Sequence, residues 1–184
     1  MSHVAGVVLT GGASRRMGVD KAFVAVDGRP MAIAVADALW EAGCHPVECQ
    51  GGDLAALASL GLTGVADDDP HAGPVAAIRS ASRRHGAPIV VAACDLPQLD
   101  AATVTAVLDA GRAADRAAVA VTGDRHHLVV YVPTGMLDDE PTDRSLREAF
   151  ADAVTVQVDA VAVRNVNTTD DLTEGDRSGG DVDR

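Results

Sequence analysis

Apolar runs and helix-period patterns alternate along most of the chain. Two continuous apolar runs, 4–10 and 88–94, contain almost no polar positions, which is typical of strands that are covered on both faces. Shorter apolar runs bounded by turn residues predict further strands, and apolar residues spaced three and four positions apart predict helices. The predicted strands are 4–10, 46–50, 63–66, 88–94, 117–122, 127–132 and 154–158, and the predicted helices are 30–43, 53–60, 73–86, 100–111 and 142–152.

Residues that begin and end helices set several of these boundaries. In the first predicted helix, Ile33 and Trp40 belong to a set that recurs at helical spacing, and Gly43 stops the pattern. In the fourth, Asp100 is expected to cap a helix that runs to Gly111. Each of these helix boundaries is predicted from the preference of a residue type for that end of a helix.

Two further helices have similar signals. Gly86 is expected to end the helix 73–86, in which Val75 and Ile78 share one face. Ser145 and Glu148 have the spacing of a capping box within the helix 142–152. Both patterns predict amphipathic helices that pack on a sheet.

The order of these elements predicts the fold class. Strands and helices alternate strictly as far as the helix 100–111, so we expect right-handed crossovers and a three-layer, doubly wound α/β fold with a mostly parallel sheet. The turn signal Gly123-Asp124 between two strands adds a late antiparallel strand. Ligands of such folds bind beyond the carboxyl ends of the strands, where Gly11, Gly12, Asp67 and Asp95 fall.

Composition agrees with one ordinary domain and disfavours one class of partner. The chain has 184 residues, 47% hydrophobic and 23% charged, which is typical of a folded domain that we assign to residues 1–172. The end, 173–184, is rich in Gly and Asp and has too few apolar groups to be ordered. A net charge of −12 and an aromatic content of 2% argue against a surface for nucleic acid.

The sequence gives no sign of a membrane or an oxidising compartment. No apolar run reaches the roughly 18 residues of a membrane span, and Arg15 and Arg16 follow the first apolar run instead of preceding it as in a secretory signal. We therefore expect a cytoplasmic protein that does not contact a membrane. Cys44, Cys49 and Cys94 are odd in number and lack CxxC spacing, so we expect reduced thiols.

The segment 9–21 has the most distinctive chemistry in the sequence. It contains three glycines, two arginines and Lys21, the only lysine in the protein. Glycines let backbone N–H groups close around phosphate oxygens, and an ammonium group adds a compact positive charge. We interpret the segment as a polyphosphate cradle, although it matches neither the Walker loop nor the Rossmann glycine pattern. The alternative is a surface loop with a solvated basic patch.

The same segment resembles the LxGGxSxRMGxDK signature of MobA-type molybdenum cofactor guanylyltransferases, a branch of the nucleotidyltransferase superfamily. The resemblance extends, in the family's order, through Asp27-Gly28-Arg29-Pro30, Gly73-Pro74, Cys94-Asp95-Leu96-Pro97 and Asn165-Val166-Asn167-Thr168. It covers about residues 4–172 and implies the Rossmann-like nucleotidyltransferase fold.

The resemblance also implies an activity. Such an enzyme transfers GMP from GTP to the phosphate of molybdopterin or molybdenum cofactor, which forms the guanine dinucleotide cofactor and releases pyrophosphate. It uses Mg²⁺, and it contacts cofactor-inserting proteins transiently. The alternatives are cytidylyl transfer, nucleotidyl transfer to another phosphorylated acceptor, and a nucleotide-binding module without turnover. Gly11-Gly12 favours guanine, because the cytidine branch typically has LAAG there.

The family's functional residues map onto several of these motifs. Asp95 resembles the magnesium ligand, and the alternative is a turn or cap residue. Asn167 resembles an asparagine near the second substrate, and its alternative is a neighbour of a helix cap. Lys21, Asp95 and Arg15 are the implied catalytic groups, since with Mg²⁺ they offset the charge of two anions that must meet. The implied nucleotide-binding residues are Leu9, Thr10, Gly11, Gly12, Arg16, Lys21, Cys49, Asp67 and Asp95.

Two of the implied nucleotide-binding positions, 49 and 67, have alternatives nearby in the sequence. Cys49 stands where the family has an Asn that contacts the nucleotide, and the backbone of Gly51 and Gly52 is an alternative source of that contact. Asp67 is placed ahead of the Gly-Pro pair, with Asp68 as the adjacent alternative. No nucleophilic side chain or general base is required, because a phosphate monoester is largely ionised near pH 7.

Overall fold

The computed structural model describes residues 3–11, 21–69, 72–139, 141 and 144–166. Every strand predicted from the sequence is present in this part of the chain, and a single 3₁₀ turn spans Lys21–Phe23. The strands are β1 (Ala5–Leu9), β2 (Ala25–Val26), β3 (Arg29–Pro30), β4 (Val47–Gln50), β5 (Gly64–Val65), β6 (Ile89–Ala93), β7 (Ala118–Thr122), β8 (Arg125–Val132) and β9 (Val154–Gln157). The helices are α1 (Met31–Glu41), α2 (Leu54–Ser59), α3 (Pro74–His85), α4 (Ala101–Ala114) and α5 (Leu146–Ala149).

Seven of the strands form one sheet in the order β5-β4-β1-β6-β8-β7-β9. The pairs β4–β5, β1–β4, β1–β6 and β7–β9 are parallel. Strand β8 pairs antiparallel with both β6 and β7, so it runs against the other six strands of this sheet. The expected α/β fold with a mostly parallel sheet and a late antiparallel strand is confirmed.

Helices cover both faces of the sheet and produce three layers. Because side chains alternate along a strand, Val8 and Val90 join α1 and α4 in one core, whereas Val7 and Val91 join α3 and α5 in the other. Both faces of the central strands are therefore buried. This double burial is the reason that these strands have continuous apolar runs instead of an alternating pattern.

The buried face of α1 differs from the predicted spacing. Trp40 is 59% exposed, and its ring packs edge-on against His45 with the ring centroids 4.0 Å apart. Ala32, Val35 and Leu39 face the sheet instead. Nearly every position of α1 is apolar, so spacing alone does not select one face. Side chains smaller than that of Trp40 face the sheet because helix and strand approach closely. A Cβ at Gly6 of β1 would lie 3.1 Å from the Cβ of Leu39.

Helix α4 continues to Ala114, beyond the predicted end at Gly111. Gly111 is buried against β8, where a Cβ would lie 2.1 Å from Cδ1 of Tyr131. Glycine at this position thus serves close packing against an aromatic ring. The helix ends at Asp115, which has a left-handed conformation with φ 50°.

Helix α5 is a single turn, Leu146–Ala149, and is much shorter than the predicted segment 142–152. Its capping box is confirmed: Ser145 Oγ accepts a hydrogen bond from the Glu148 N–H at 3.3 Å, and the Glu148 carboxylate accepts one from the Ser145 N–H at 2.9 Å. The box places the N-cap at Ser145, which excludes an earlier start. Phe150 follows the helix and is buried in the core beneath it.

Strands β2 and β3 form a small hairpin outside the main sheet that the sequence analysis missed. Asp27 and Gly28 connect them with φ angles of 51° and 78°. An Asp-Gly pair is a strong signal for a two-residue hairpin turn, so the residues did contain the information.

Three other expectations concern the chain as a whole. In the described ranges, every helix is too short or too polar to cross a membrane. None of the three cysteines, all of which are described, forms a disulfide, and burial raises the pKa of Cys44 to about 11. The predicted tail 173–184 lies outside the described residues, and the assignment of one domain to 1–172 stays a prediction.

Gly111→Ala is expected to destabilise the protein. Ala is favoured over Gly by about 1 kcal/mol in a helix interior, so helix propensity alone predicts stabilisation. The new Cβ would instead meet the Tyr131 ring, and overpacking of this kind costs about 1–3 kcal/mol. Chemical denaturation of both proteins measures the free energy of unfolding. An equal or higher value for the variant would contradict the tight contact.

Candidate functional site

The backbone that leaves β1 is tied to the neighbouring strand β4. The N–H groups of Thr10 and Gly11 both donate to the carbonyl oxygen of Gln50, each at 3.0 Å. The hydroxyl of Thr10 donates to the carbonyl oxygen of Gly51 at 2.8 Å. The N–H of Gly51 donates in turn to the carbonyl oxygen of Val65 at 2.7 Å. The loops after β1, β4 and β5 therefore begin as one hydrogen-bonded unit at the carboxyl edge of the sheet.

Gly11 and Gly51 leave room at this edge for the Asp67 carboxylate, and we call this space the glycine notch. A Cβ on either residue would lie 2.5 Å from Oδ2 of Asp67, so the carboxylate occupies the space that a side chain would fill. A Cβ on Gly51 would also lie 2.7 Å from Cα of Gly11. Gly51 has φ +80°, which side chains rarely adopt. Only glycine fits at either position while Asp67 stays where it is.

A second cluster lies at the end of β6, on the other side of β1. Nζ of Lys21 is 3.9 Å from Oδ2 of Asp95, and the two side chains are 17% and 19% exposed. Asn165 donates from Nδ2 to Oδ1 of Asp95 at 2.9 Å, and the N–H of Val166 donates to the Asp95 carbonyl oxygen at 2.9 Å. One carboxylate oxygen is thus held by an amide, and the other faces the ammonium group.

This second cluster fits a divalent cation that is shared with a ligand. Among the described residues, no group of three or more His, Cys, Asp or Glu side chains is placed to hold a metal. Mg²⁺ is commonly bound by one or two carboxylates together with substrate phosphates and waters. Asp95 provides one such carboxylate, and Lys21 beside it is placed to meet a phosphate. The donor set fits a metal that arrives with an anionic ligand.

Most predicted site residues that the structure describes lie in these two clusters. Thr10, Gly11 and Asp67 adjoin on one side of the β1 end, and Lys21 and Asp95 adjoin on the other. Leu9, the last residue of β1, is 9% exposed and belongs to the core under α3. Four other predicted residues lie outside the described residues: Gly12, Arg15, Arg16 and Asn167.

Thr10 and Gly11 do not direct their N–H groups toward a ligand, because both donate to Gln50. Their contribution to a site is the close packing at Gly11, where the absence of a side chain lets the Asp67 carboxylate approach the backbone. Any backbone N–H groups with which the loop binds phosphate therefore belong to positions after Gly11, and 12–20 lie outside the described residues.

Cys49 is placed differently from the other predicted residues. It is 1% exposed and belongs to the core that includes α1 and Leu57 of α2. Burial, with the nearby Glu48 carboxylate, raises the pKa of its thiol to about 12. Its side chain points away from the glycine notch, since its neighbour Gln50 points toward α3. A role for Cys49 in nucleotide binding stays a prediction that this geometry does not favour.

Sequence reasoning missed one residue at the centre of the first cluster. Gln50 is 1% exposed, and its Nε2 donates to Oδ1 of Asp67 at 3.0 Å. Arg84 of α3 donates to Oε1 of Gln50 at 2.6 Å. Asp67 and Arg84 also line a cavity of about 580 Å³ between the end of β5 and α3. The sequence signal that could have identified Gln50 was a polar residue inside a short buried strand.

Comparisons with known proteins show the family of this chain. Residues 6–163 match the MobA-like NTP transferase domain. The molybdenum cofactor guanylyltransferase of Burkholderia lata is 33% identical over 193 residues, which covers 92% of this chain and 93% of that protein.

Two solved structures support the fold. Molybdopterin-guanine dinucleotide biosynthesis protein A from Archaeoglobus fulgidus has a TM-score of 0.73 and 22% identity, covering 93% of this chain and 96% of that one. A Mycobacterium tuberculosis protein solved in complex with manganese has a TM-score of 0.70 and 19% identity, covering 94% and 97%.

Gly51→Ala is expected to destabilise the protein more than Gly61→Ala. Both glycines have left-handed φ angles, +80° and +77°, so each Ala variant bears a similar backbone strain of about 1–2 kcal/mol. A Cβ at Gly61 meets nothing within 4 Å, whereas one at Gly51 meets Asp67 and Gly11. Crowding should add about 1–3 kcal/mol at Gly51, as measured by chemical denaturation. Equal losses in the two variants would show that the notch is not closely packed.

Proposed function

The chain belongs to the MobA-like NTP transferase family, and from that premise we propose that it acts as a molybdenum cofactor guanylyltransferase. It transfers GMP from GTP to the phosphate of molybdopterin or molybdenum cofactor. One observation carries the proposal: a relative of that name is 33% identical and aligns with 92% of this chain. The clusters on both sides of the β1 end support it, because they combine a notch, a cation and a carboxylate.

GTP lies over the end of β1 in this proposal. The glycine-rich segment that follows β1 binds the triphosphate, and Lys21 offsets phosphate charge. Asp67 binds the nucleoside part beside the notch. Gly12, Arg15 and Arg16 complete the phosphate site, as the family pattern implies, and Leu9, Thr10 and Gly11, at the end of β1, lead to them. Support comes from the position of Asp67 against Gly11 and from the ammonium group of Lys21 near Asp95.

Asp95 holds the divalent metal in this proposal. When bound, Mg²⁺ supplies a Lewis acid that neutralises charge on the phosphate oxygens. Asn165 fixes one oxygen of the Asp95 carboxylate through its amide, which leaves the other oxygen for the metal. The manganese complex of the M. tuberculosis protein is compatible with a divalent cation in this fold.

The reaction joins two anions. An oxygen of the acceptor phosphate attacks the α-phosphorus of GTP, and the bond from that phosphorus to the oxygen bridging the α- and β-phosphates breaks. Pyrophosphate leaves with the electron pair. The attacking phosphate is largely ionised near pH 7, so no side chain has to remove a proton. The residues of this chain act by charge and position.

The proposal also covers where the acceptor binds and which proteins receive the product. Asn167 is expected to lie near the pterin, and the product is expected to pass to cofactor-inserting proteins. In a chain with a net charge of −12, the few cations of the site decide whether two anionic substrates can be held together. Lys21, Arg15 and Arg16 provide that charge in addition to the metal.

Lys21→Ala and Asp95→Ala are each expected to lower guanylyl transfer by about 100-fold or more, because each removes charge stabilisation at the reacting phosphates. The assay is pyrophosphate release with GTP, Mg²⁺ and molybdopterin, with thermal unfolding as the check on folding. Asp109→Ala removes an exposed carboxylate of α4 and is the matched control with unchanged turnover. Wild-type turnover by folded Asp95→Ala protein would remove the metal assignment.

GTP with Mg²⁺ is expected to raise the melting temperature more than CTP with Mg²⁺ at the same concentration. A ligand that binds only the native state stabilises it by about 2.7 kcal/mol at 100 times its Kd, so the better ligand gives the larger shift. Each nucleotide without Mg²⁺ is the control for metal dependence. A larger shift with CTP would contradict guanylyl transfer and favour the cytidylyl alternative.

A further inference from the structure

Gln50 is a buried polar side chain where the sheet otherwise buries apolar ones. It is 1% exposed and lies at the end of β4, in register with Leu9 of β1. A buried amide is costly unless its donors and acceptor are satisfied. Here all of them are: Nε2 donates to Oδ1 of Asp67 at 3.0 Å and to the carbonyl oxygen of Ala66 at 3.3 Å, and Oε1 accepts from Arg84 at 2.6 Å.

The partners of Gln50 fix the direction of its amide. A carboxylate only accepts hydrogen bonds and a guanidinium only donates them, so the amide nitrogen must face Asp67 and the amide oxygen must face Arg84. Arg84 is held in turn by the carboxylate of Glu48, a second polar residue of β4 that is 7% exposed. We call Glu48, Arg84 and Gln50 the β4–α3 relay.

The relay determines where the Asp67 carboxylate lies. Gln50 binds Oδ1, which directs Oδ2 into the glycine notch, 2.5 Å from where a Cβ of Gly11 or Gly51 would be. Without that hydrogen bond, Asp67 would regain side-chain rotation. A group that is already held in its binding position loses less entropy when a ligand binds.

We propose that Gln50 is a positioning residue for the nucleotide: the β4–α3 relay aims Asp67 at the notch and thereby sets the affinity for GTP. The inference rests on the proposed function and deepens it. Gln50 does not touch the substrate in this account. Its effect on the nucleotide therefore depends entirely on Asp67. If Gln50 only stabilised the edge of the sheet, its effect would not depend on Asp67.

A double-mutant cycle tests this dependence. Gln50→Met keeps the length of the side chain but has no amide, and Gln50→Glu keeps an oxygen for Arg84 while it places a carboxylate against Asp67. Both variants are expected to raise the KM for GTP by about 10-fold or more, with kcat within about threefold. Adding either substitution to Asp67→Ala is expected to change the KM of that variant by less than about twofold, since the two residues act as one unit.

Ser82→Ala is the matched control, because it removes a buried hydroxyl from α3, the same helix that provides Arg84. Its KM for GTP is expected to equal that of the wild type. Gln50→Glu keeps the interaction with Arg84, so it provides a folded variant where the apolar substitution does not fold. Melting temperatures of all variants separate loss of folding from loss of affinity.

The outcomes distinguish the inference from the proposed function. An active wild type whose Gln50 variants keep the wild-type KM would overturn the relay alone, as would KM effects of Gln50 and Asp67 that multiply in the double variant. A wild type that releases no pyrophosphate from GTP and molybdopterin would overturn the proposed function and the inference with it.

Discussion

The central constraint on this molecule is that β1 lies between two parallel strands that end at the same level. On one side, the carbonyl oxygen of Gln50 receives the N–H groups of Thr10 and Gly11; on the other, the carbonyl oxygen of Leu9 receives the N–H of Cys94 at 3.2 Å. These hydrogen bonds fix the chain at the point where it leaves the sheet. Two side chains assigned to the site are placed relative to that point: Asp67 follows β5, and Asp95 follows β6.

Much of the fold could be predicted because its signals are local. Continuous apolar runs marked the central strands, and Gly86 marked the end of α3. The predictions were wrong where tertiary packing determines which residues face the core or where a helix ends. The face of α1 depends on how closely Leu39 approaches Gly6, and the glycine inside α4 depends on a ring of β8 far along the chain. A single sequence contains neither distance.

The site residues also divide into those with a local sequence signal and those whose role depends on tertiary contacts. Motif resemblance predicted Asp67, Lys21 and Asp95, and the structure brings each to the carboxyl edge of the sheet. Gln50 was missed because its importance comes from partners 17 and 34 residues away, to which its amide is bound. A protein this acidic must concentrate its cations to bind an anion, so the identity of a few residues matters more than the overall charge.

A crystal structure of the protein with GTP and Mg²⁺ tests the central claim most directly. We expect the triphosphate beyond the carboxyl end of β1, with Nζ of Lys21 on a phosphate oxygen and the metal on the Asp95 carboxylate. A triphosphate bound away from the β1 end, with no metal at Asp95, would contradict it.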